Sequence, residues 1–114
     1  MVWSPETVFE ANREVIEFPM ELIKVYQFTL KDISTTIAIR LFRSFESDKV
    51  YFRQSHYIKT PTQATEYVTN KPYNDDLGSA LQQAISGLTQ HYNEAVKKGH
   101  SPSAKWLVPN KQFE

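Results

Sequence analysis

The feature that most constrains this chain is an apolar stripe in its C-terminal half. Leu77, Leu81, Ala84, Ile85, Leu88, Tyr92, Ala95 and Val96 recur at three- and four-residue steps, the spacing that gathers side chains on one side of an α-helix. Asn74 or Asp75 stands where a cap is needed, and Asp75 and Asp76 set negative charge at the positive end of the helix dipole. Lys97 and Lys98 fall in the last turn, and Gly99 supplies a left-handed exit. The segment predicts a helix of about 22 residues, roughly 33 Å long at 1.5 Å per residue. A rod of that length with one apolar side must lie across something.

Three upstream runs offer a sheet. Glu21–Leu30 is rich in β-branched and aromatic residues and lacks glycine and proline. Thr35–Ser44 alternates Ile37, Ile39 and Leu41 onto one face, and Val50–Lys59 places Val50, Phe52 and Ile58 on one side. Lys31–Ser34 and Phe45–Lys49 are short, polar connections, so the three runs predict an antiparallel meander. Before them, Ser4 and Pro5 have the chemistry of a helix cap and first helical position, and Trp3 and Val8 the spacing of a hydrophobic staple. A helix over 5–16 follows, ended by Phe18-Pro19. Residues 60–74, bracketed by two prolines, are expected to hold a short helix or a fourth strand, since structureless loops of that length are uncommon in compact domains. In the tail, Trp106-Leu107-Val108 predicts docking, on this domain or on a second copy. The fold class is therefore α+β: a short N-terminal helix, an antiparallel meander of three or four strands, and a long C-terminal helix on one sheet face, in a single domain spanning residues 1–114.

Composition narrows the function classes. The 114 residues contain no cysteine, which removes disulfides, Cys-ligated metals and thiol nucleophiles and fits a reducing compartment. Thirteen basic and thirteen acidic residues cancel, so there is no strong global attraction to nucleic acid or anionic lipid. The N-terminal residues lack the pattern of a signal peptide, and no run approaches the roughly 20 apolar residues of a membrane span. A cytoplasmic protein is expected, with no membrane association.

With three glycines in the chain, a glycine-rich phosphate cradle is excluded, and no metalloprotease or serine-hydrolase motif is present. His56 falls mid-strand and reads as an imidazole at the core edge, bonded to a neighbour. His91 and Glu94 are three apart on the long helix and read as a solvated face, and His100 as part of the helix end. No catalytic, metal-ligating or cofactor-binding residue is assigned, and a small-molecule enzyme centred on His56 ranks third among the readings.

The face of the sheet opposite the aliphatic one carries more information. Lys24, Tyr26 and Phe28 share a side of the first strand. Thr36, Ala38, Arg40 and Phe42 oppose the aliphatic residues of the second, and Tyr51, Arg53, Ser55, Tyr57 and Lys59 alternate together on the third. Tyr26, Arg40, Tyr51, Arg53, Tyr57 and Lys59 are the candidate binding face. Tyrosine and arginine are enriched at interface centres, and rings beside cations also suit single-stranded nucleic acid. The leading expectation is a non-enzymatic binding or assembly module, a homodimer with a protein partner as a further ligand class; the alternative is a single-stranded nucleic-acid-binding domain. In element order over about residues 20–98, strands followed by one long helix, the chain is similar to the single-stranded-DNA-binding coactivator and Whirly-type domains, which pair into dimers. No motif carries that likeness, the basic glycine-containing signature of Whirly-type strands is absent, and no site residue is transferred from it.

Overall fold

The computed structural model describes residues 2–113. Its architecture is α+β: a short N-terminal helix, a four-stranded antiparallel sheet, and a long C-terminal helix packed on one face of that sheet. Among the described residues, no helix is long and apolar enough to cross a membrane.

Helix α1 (Pro5–Ala11) opens as its sequence dictates. The Thr7 N–H donates to the Ser4 hydroxyl at 3.2 Å and the Ser4 N–H donates to the Thr7 hydroxyl at 2.9 Å, a reciprocal capping box with Pro5 just inside it. It ends at Ala11, well short of the predicted residue 16. The Asn12 side-chain amide donates to the Val8 carbonyl at 2.8 Å, taking the acceptor that its own backbone N–H would use in a continuing helix. Turns then lead to Phe18, which adopts φ 53° immediately before Pro19.

The strands are β1 (Met20–Phe28), β2 (Ile37–Ser44), β3 (Val50–Gln54), β4 (His56–Ile58) and β5 (Tyr73–Asn74). The main sheet has the order β1-β2-β3-β5, all neighbours antiparallel. The predicted third strand, Val50–Lys59, is in fact two pieces separated at Ser55. Its N–H still reaches the Ala38 carbonyl at 2.9 Å and its hydroxyl accepts from the Ala38 N–H at 2.8 Å. Because β2 begins at Ile37, little sheet remains beyond this point for the next residues to pair with. The chain therefore turns away, and β4 pairs with strand β6 (Leu107–Pro109) from the tail in a separate two-stranded sheet. Asn110 ties the seam, its N–H to the Ser55 carbonyl at 2.8 Å and its side-chain amide to the Gln54 carbonyl at 2.9 Å.

Residues 60–72 form neither the helix nor the full strand expected of them. They are a chain of turns, held where Gln63 accepts from the Thr60 N–H and donates to the Ile58 carbonyl, and only Tyr73 and Asn74 join the sheet. Side-chain bonds of this kind satisfy backbone groups that a helix or ladder would otherwise serve.

Helix α2 (Leu77–Lys97) is capped by Asp76, one residue beyond the expected positions. Its carboxylate accepts from the Ser79 N–H at 2.7 Å, and that bond holds its pKa below the ordinary carboxylate value. Asn74 is engaged in β5, and Asp75 forms an ion pair with Lys49. At the other end Gly99, at φ 93°, allows its own N–H to reach Val96 and that of His100 to reach Ala95, both at 3.0 Å. The buried line of α2 runs through Ala80, Ala84, Leu88 and Ala95, whereas Val96 is exposed. Three alanines on that line let the backbone approach Ile37, Ile39 and Leu41 of β2 and Phe52 of β3, which are buried beneath it. Each large apolar side chain so enclosed contributes about 1.5–3 kcal/mol relative to exposure. Gly87 acquires a packing role that its sequence position did not announce: a Cβ there would lie 3.0 Å from the Tyr67 ring.

The tail docks as its composition predicts, and the surface it uses is this chain's own. A 3₁₀ turn (Ala104–Trp106) buries Trp106 edge-on against Tyr92 at 5.8 Å, and β6 follows with Leu107 buried.

Candidate functional site

The outer face of the main sheet, away from α2, is built by register. Directly paired residues of antiparallel strands point to the same side. Leu22 faces Phe42, Phe42 faces Tyr51, and Tyr51 faces Tyr73, so one row of apolar and aromatic side chains crosses all four strands. The neighbouring row is Val25, Arg40 and Arg53. Tyr51 and Tyr73 stack with ring centroids 5.1 Å apart.

Arg40 and Arg53 are like charges on directly opposed positions, an arrangement that disfavours pairing. Each turns to a ring. Arg53 lies over Phe42 at 5.2 Å, and Arg40 lies over Phe113 at 3.9 Å while donating to the Phe113 carbonyl. Such cation–π contacts are worth roughly 0.5–1 kcal/mol at exposed sites. The ion pairs among the described residues are Arg13–Glu10, Lys49–Asp75 and Lys98–Glu94, none of them on this face. Neither row contains an acidic residue.

The structure brings together part of the predicted set. Arg40, Tyr51 and Arg53 share the outer face. Tyr26 does not: it pairs with Ile39 and so belongs to the α2 side, at an edge strand where it remains 37% exposed. Alternation along the strand correctly grouped Tyr26 with Lys24 and Phe28, but the register with β2, shifted between Leu22 and Lys24, decides which face that group occupies. Tyr57 and Lys59 leave the sheet with β4 and the residue after it. Tyr57 pairs with Val108, and the Lys59 N–H donates to the Trp106 carbonyl at 2.7 Å. Arg53 and Tyr57 still meet across a polar cleft of about 310 Å³ where the two sheets part, lined also by Thr69 and Gln112. Leu22, Val25, Tyr73 and Phe113 complete the face and were not singled out in the sequence. Leu22 and Val25 carry no chemical signature, and Tyr73 and Phe113 arrive from distant segments.

The histidines are accounted for locally. His56 is half-buried with Nδ1 2.8 Å from the Ser55 hydroxyl, and burial pushes its pKa down. His91 packs on Tyr67 at 5.4 Å between ring centroids. Among the described residues, no group of three or more His, Asp or Glu is placed to hold a metal ion. The chain matches no family model, no curated protein and no solved structure, so its likeness to the dimeric single-stranded-DNA-binding folds rests on element order alone.

Proposed function

We infer that the protein is a non-enzymatic binding and assembly module acting through the outer face of its main sheet, and that it works as a homodimer in a reducing, cytoplasmic setting. The observation that carries this reading is the facing pair Arg40 and Arg53 beside a continuous apolar–aromatic row, neither paired row holding an acidic residue. Two opposed cations with apolar neighbours favour a partner that brings both carboxylates and apolar surface, as protein interfaces do at their centres.

Single-stranded nucleic acid is the weaker reading. Of its six proposed contact residues, Tyr26 lies on the other side of the sheet and Lys59 beyond its end. Arg40 and Arg53 are the two predicted cations left on the face, too few to neutralise a run of phosphates, the term that dominates such affinity. Sedimentation of the full chain, alone and with an unlabelled oligonucleotide at two salt concentrations, separates the readings. Concentration-dependent association that Leu22→Ser with Val25→Ser abolishes supports assembly through this face. A chain that sediments as a single copy at high micromolar concentration removes the homodimer, and salt-sensitive oligonucleotide binding lost in Arg53→Ala with Tyr57→Ala moves the assignment to nucleic acid.

A further inference from the structure

The N-terminal arm, residues 2–19, is only lightly seated on its own chain. None of the residues of α1 is buried, and an isolated helix of that length is far below the roughly 12–15 residues at which helices become marginally stable in water. The apolar side chains of the arm are displayed instead: Val2 is 92% exposed, Trp3 59%, Val15 83% and Phe18 72%. The arm is held to the rest by Phe9 on Phe45, with centroids 4.8 Å apart, and by the Phe45 N–H donating to the Pro19 carbonyl at 3.0 Å. An open apolar groove of about 710 Å³ runs between α1 and the Pro19–Phe45 contact. The molecule is accordingly long, 63 × 22 × 22 Å, with a radius of gyration of 17.1 Å, against about 13 Å for a compact chain of this length.

Charge says what the arm fits. It contains Glu6, Glu10, Glu14 and Glu17 against the single base Arg13, and Arg13 is already paired with Glu10 at 2.7 Å. Since the whole chain is neutral, the acidic excess of the arm is matched by a basic excess elsewhere, and the outer sheet face presents Arg40 and Arg53 in paired rows that hold no acidic residue among the described residues. The arm is therefore acidic and apolar where that face is basic and apolar.

We propose that the arm of one copy docks on the outer sheet face of a second copy, its exposed Val15 and Phe18 meeting the Leu22–Phe42–Tyr51 row and its glutamates meeting Arg53. The proposal rests on the reading of that face as an interface and names its occupant. Reciprocal docking of two arms gives a closed two-fold dimer, in which the same two patches are used twice. Electrostatic complementarity of this kind sets orientation and partner choice, while the apolar anchors supply most of the affinity.

The test uses the full chain in analytical ultracentrifugation, with circular dichroism and urea midpoints confirming that each variant is folded. Wild type is expected to dimerise, more weakly as salt rises. Val15→Asp with Phe18→Asp should weaken dimerisation by at least about tenfold. Glu14→Arg with Glu17→Arg and, separately, Arg53→Glu should each weaken it, and the two sets combined in one chain should restore part of the loss. These are exposed or half-exposed positions, so folding should survive all of them. If the arm variants dimerise as tightly as wild type while Arg53→Glu with Tyr51→Asp dissociates the chain, the face remains an interface and the arm is not its occupant. If the arm variants dissociate it and the face variants do not, or if the charge exchange rescues nothing, the docking proposed here is wrong. A wild-type chain that stays a single copy overturns both readings together.

Discussion

The two ends of this chain each carry a tryptophan, prolines and a short helical turn, yet they are treated in opposite ways. At the C-terminal end Trp106 is 4% exposed, Leu107 is buried beside it, and β6 hydrogen-bonds to β4. At the N-terminal end Trp3 is 59% exposed and no residue of α1 is buried. The tail is part of the core; the arm is an attachment made by Phe9, Phe45 and one backbone bond. Local structure is therefore no guide to integration, because α1 has the better cap and the weaker anchorage. What distinguishes them is whether the segment joined a strand of the fold. The tail pairs with β4, stranded beyond the start of β2, whereas the arm leaves the outer edge of β1 unpaired.

The comparison can be broken most sharply at the tryptophans. Trp106→Ala should cost about 3–5 kcal/mol, the usual loss for a buried aromatic, whereas Trp3→Ala should change the unfolding free energy of dilute protein by no more than about 0.5 kcal/mol; urea titrations followed by circular dichroism measure both. Next, Asn110→Ala removes the bond that ties the tail to the Gln54 carbonyl and should cost about 1 kcal/mol, with faster amide exchange in β6 but not in α1.

The two helix caps sharpen the same contrast. Asp76→Ala should lower the urea midpoint at neutral pH, while Ser4→Ala, which also removes a cap, should leave it unmoved because α1 is not coupled to global unfolding. The Asp76 carboxylate has its pKa lowered by bonds from Ser79, so its contribution is full above the ordinary carboxylate value and disappears as pH falls through the lowered one. The gap between wild type and Asp76→Ala should close over that acid range. The smallest expected effect is at His56, in the strand that receives the tail. Burial lowers its pKa from the ordinary 6.5, so protons bind the unfolded chain more readily and stability declines as pH drops below that value. Midpoints at about pH 7.5 and 5.5 should differ less in His56→Gln than in wild type, and an unchanged difference would mean that the imidazole stays solvated.

What the sequence made legible was whatever is decided locally. The α2 stripe, Gly99 and the alternation of Ile37, Ile39 and Leu41 depend on neighbours two to four residues away. The last two appear as expected, and the stripe does so apart from Val96, which is exposed, and Ala80, which is buried though not counted in it. The apolar cluster at Trp106 declared that it would dock, though not where. Illegible features were set by distant partners. The break at Ser55 follows from where β2 begins, and the true face of Tyr26 follows from its register against Ile39. Half of the candidate face, Arg40, Tyr51 and Arg53, came through because β2 and β3 pair without a bulge. The other half was lost to a strand that changed sheets and a strand whose side was a matter of register.

Pairing β4 with β6 also has a kinetic meaning. These strands precede and follow α2, so their hydrogen bonds close a loop that contains the entire helix. Closing such a loop costs chain entropy before any contact rewards it. The helix needs only local contacts to form, whereas its clasp is expected to fasten late. Weakening the clasp should therefore hasten unfolding far more than it slows folding, and the final strand should then govern the lifetime of the native chain.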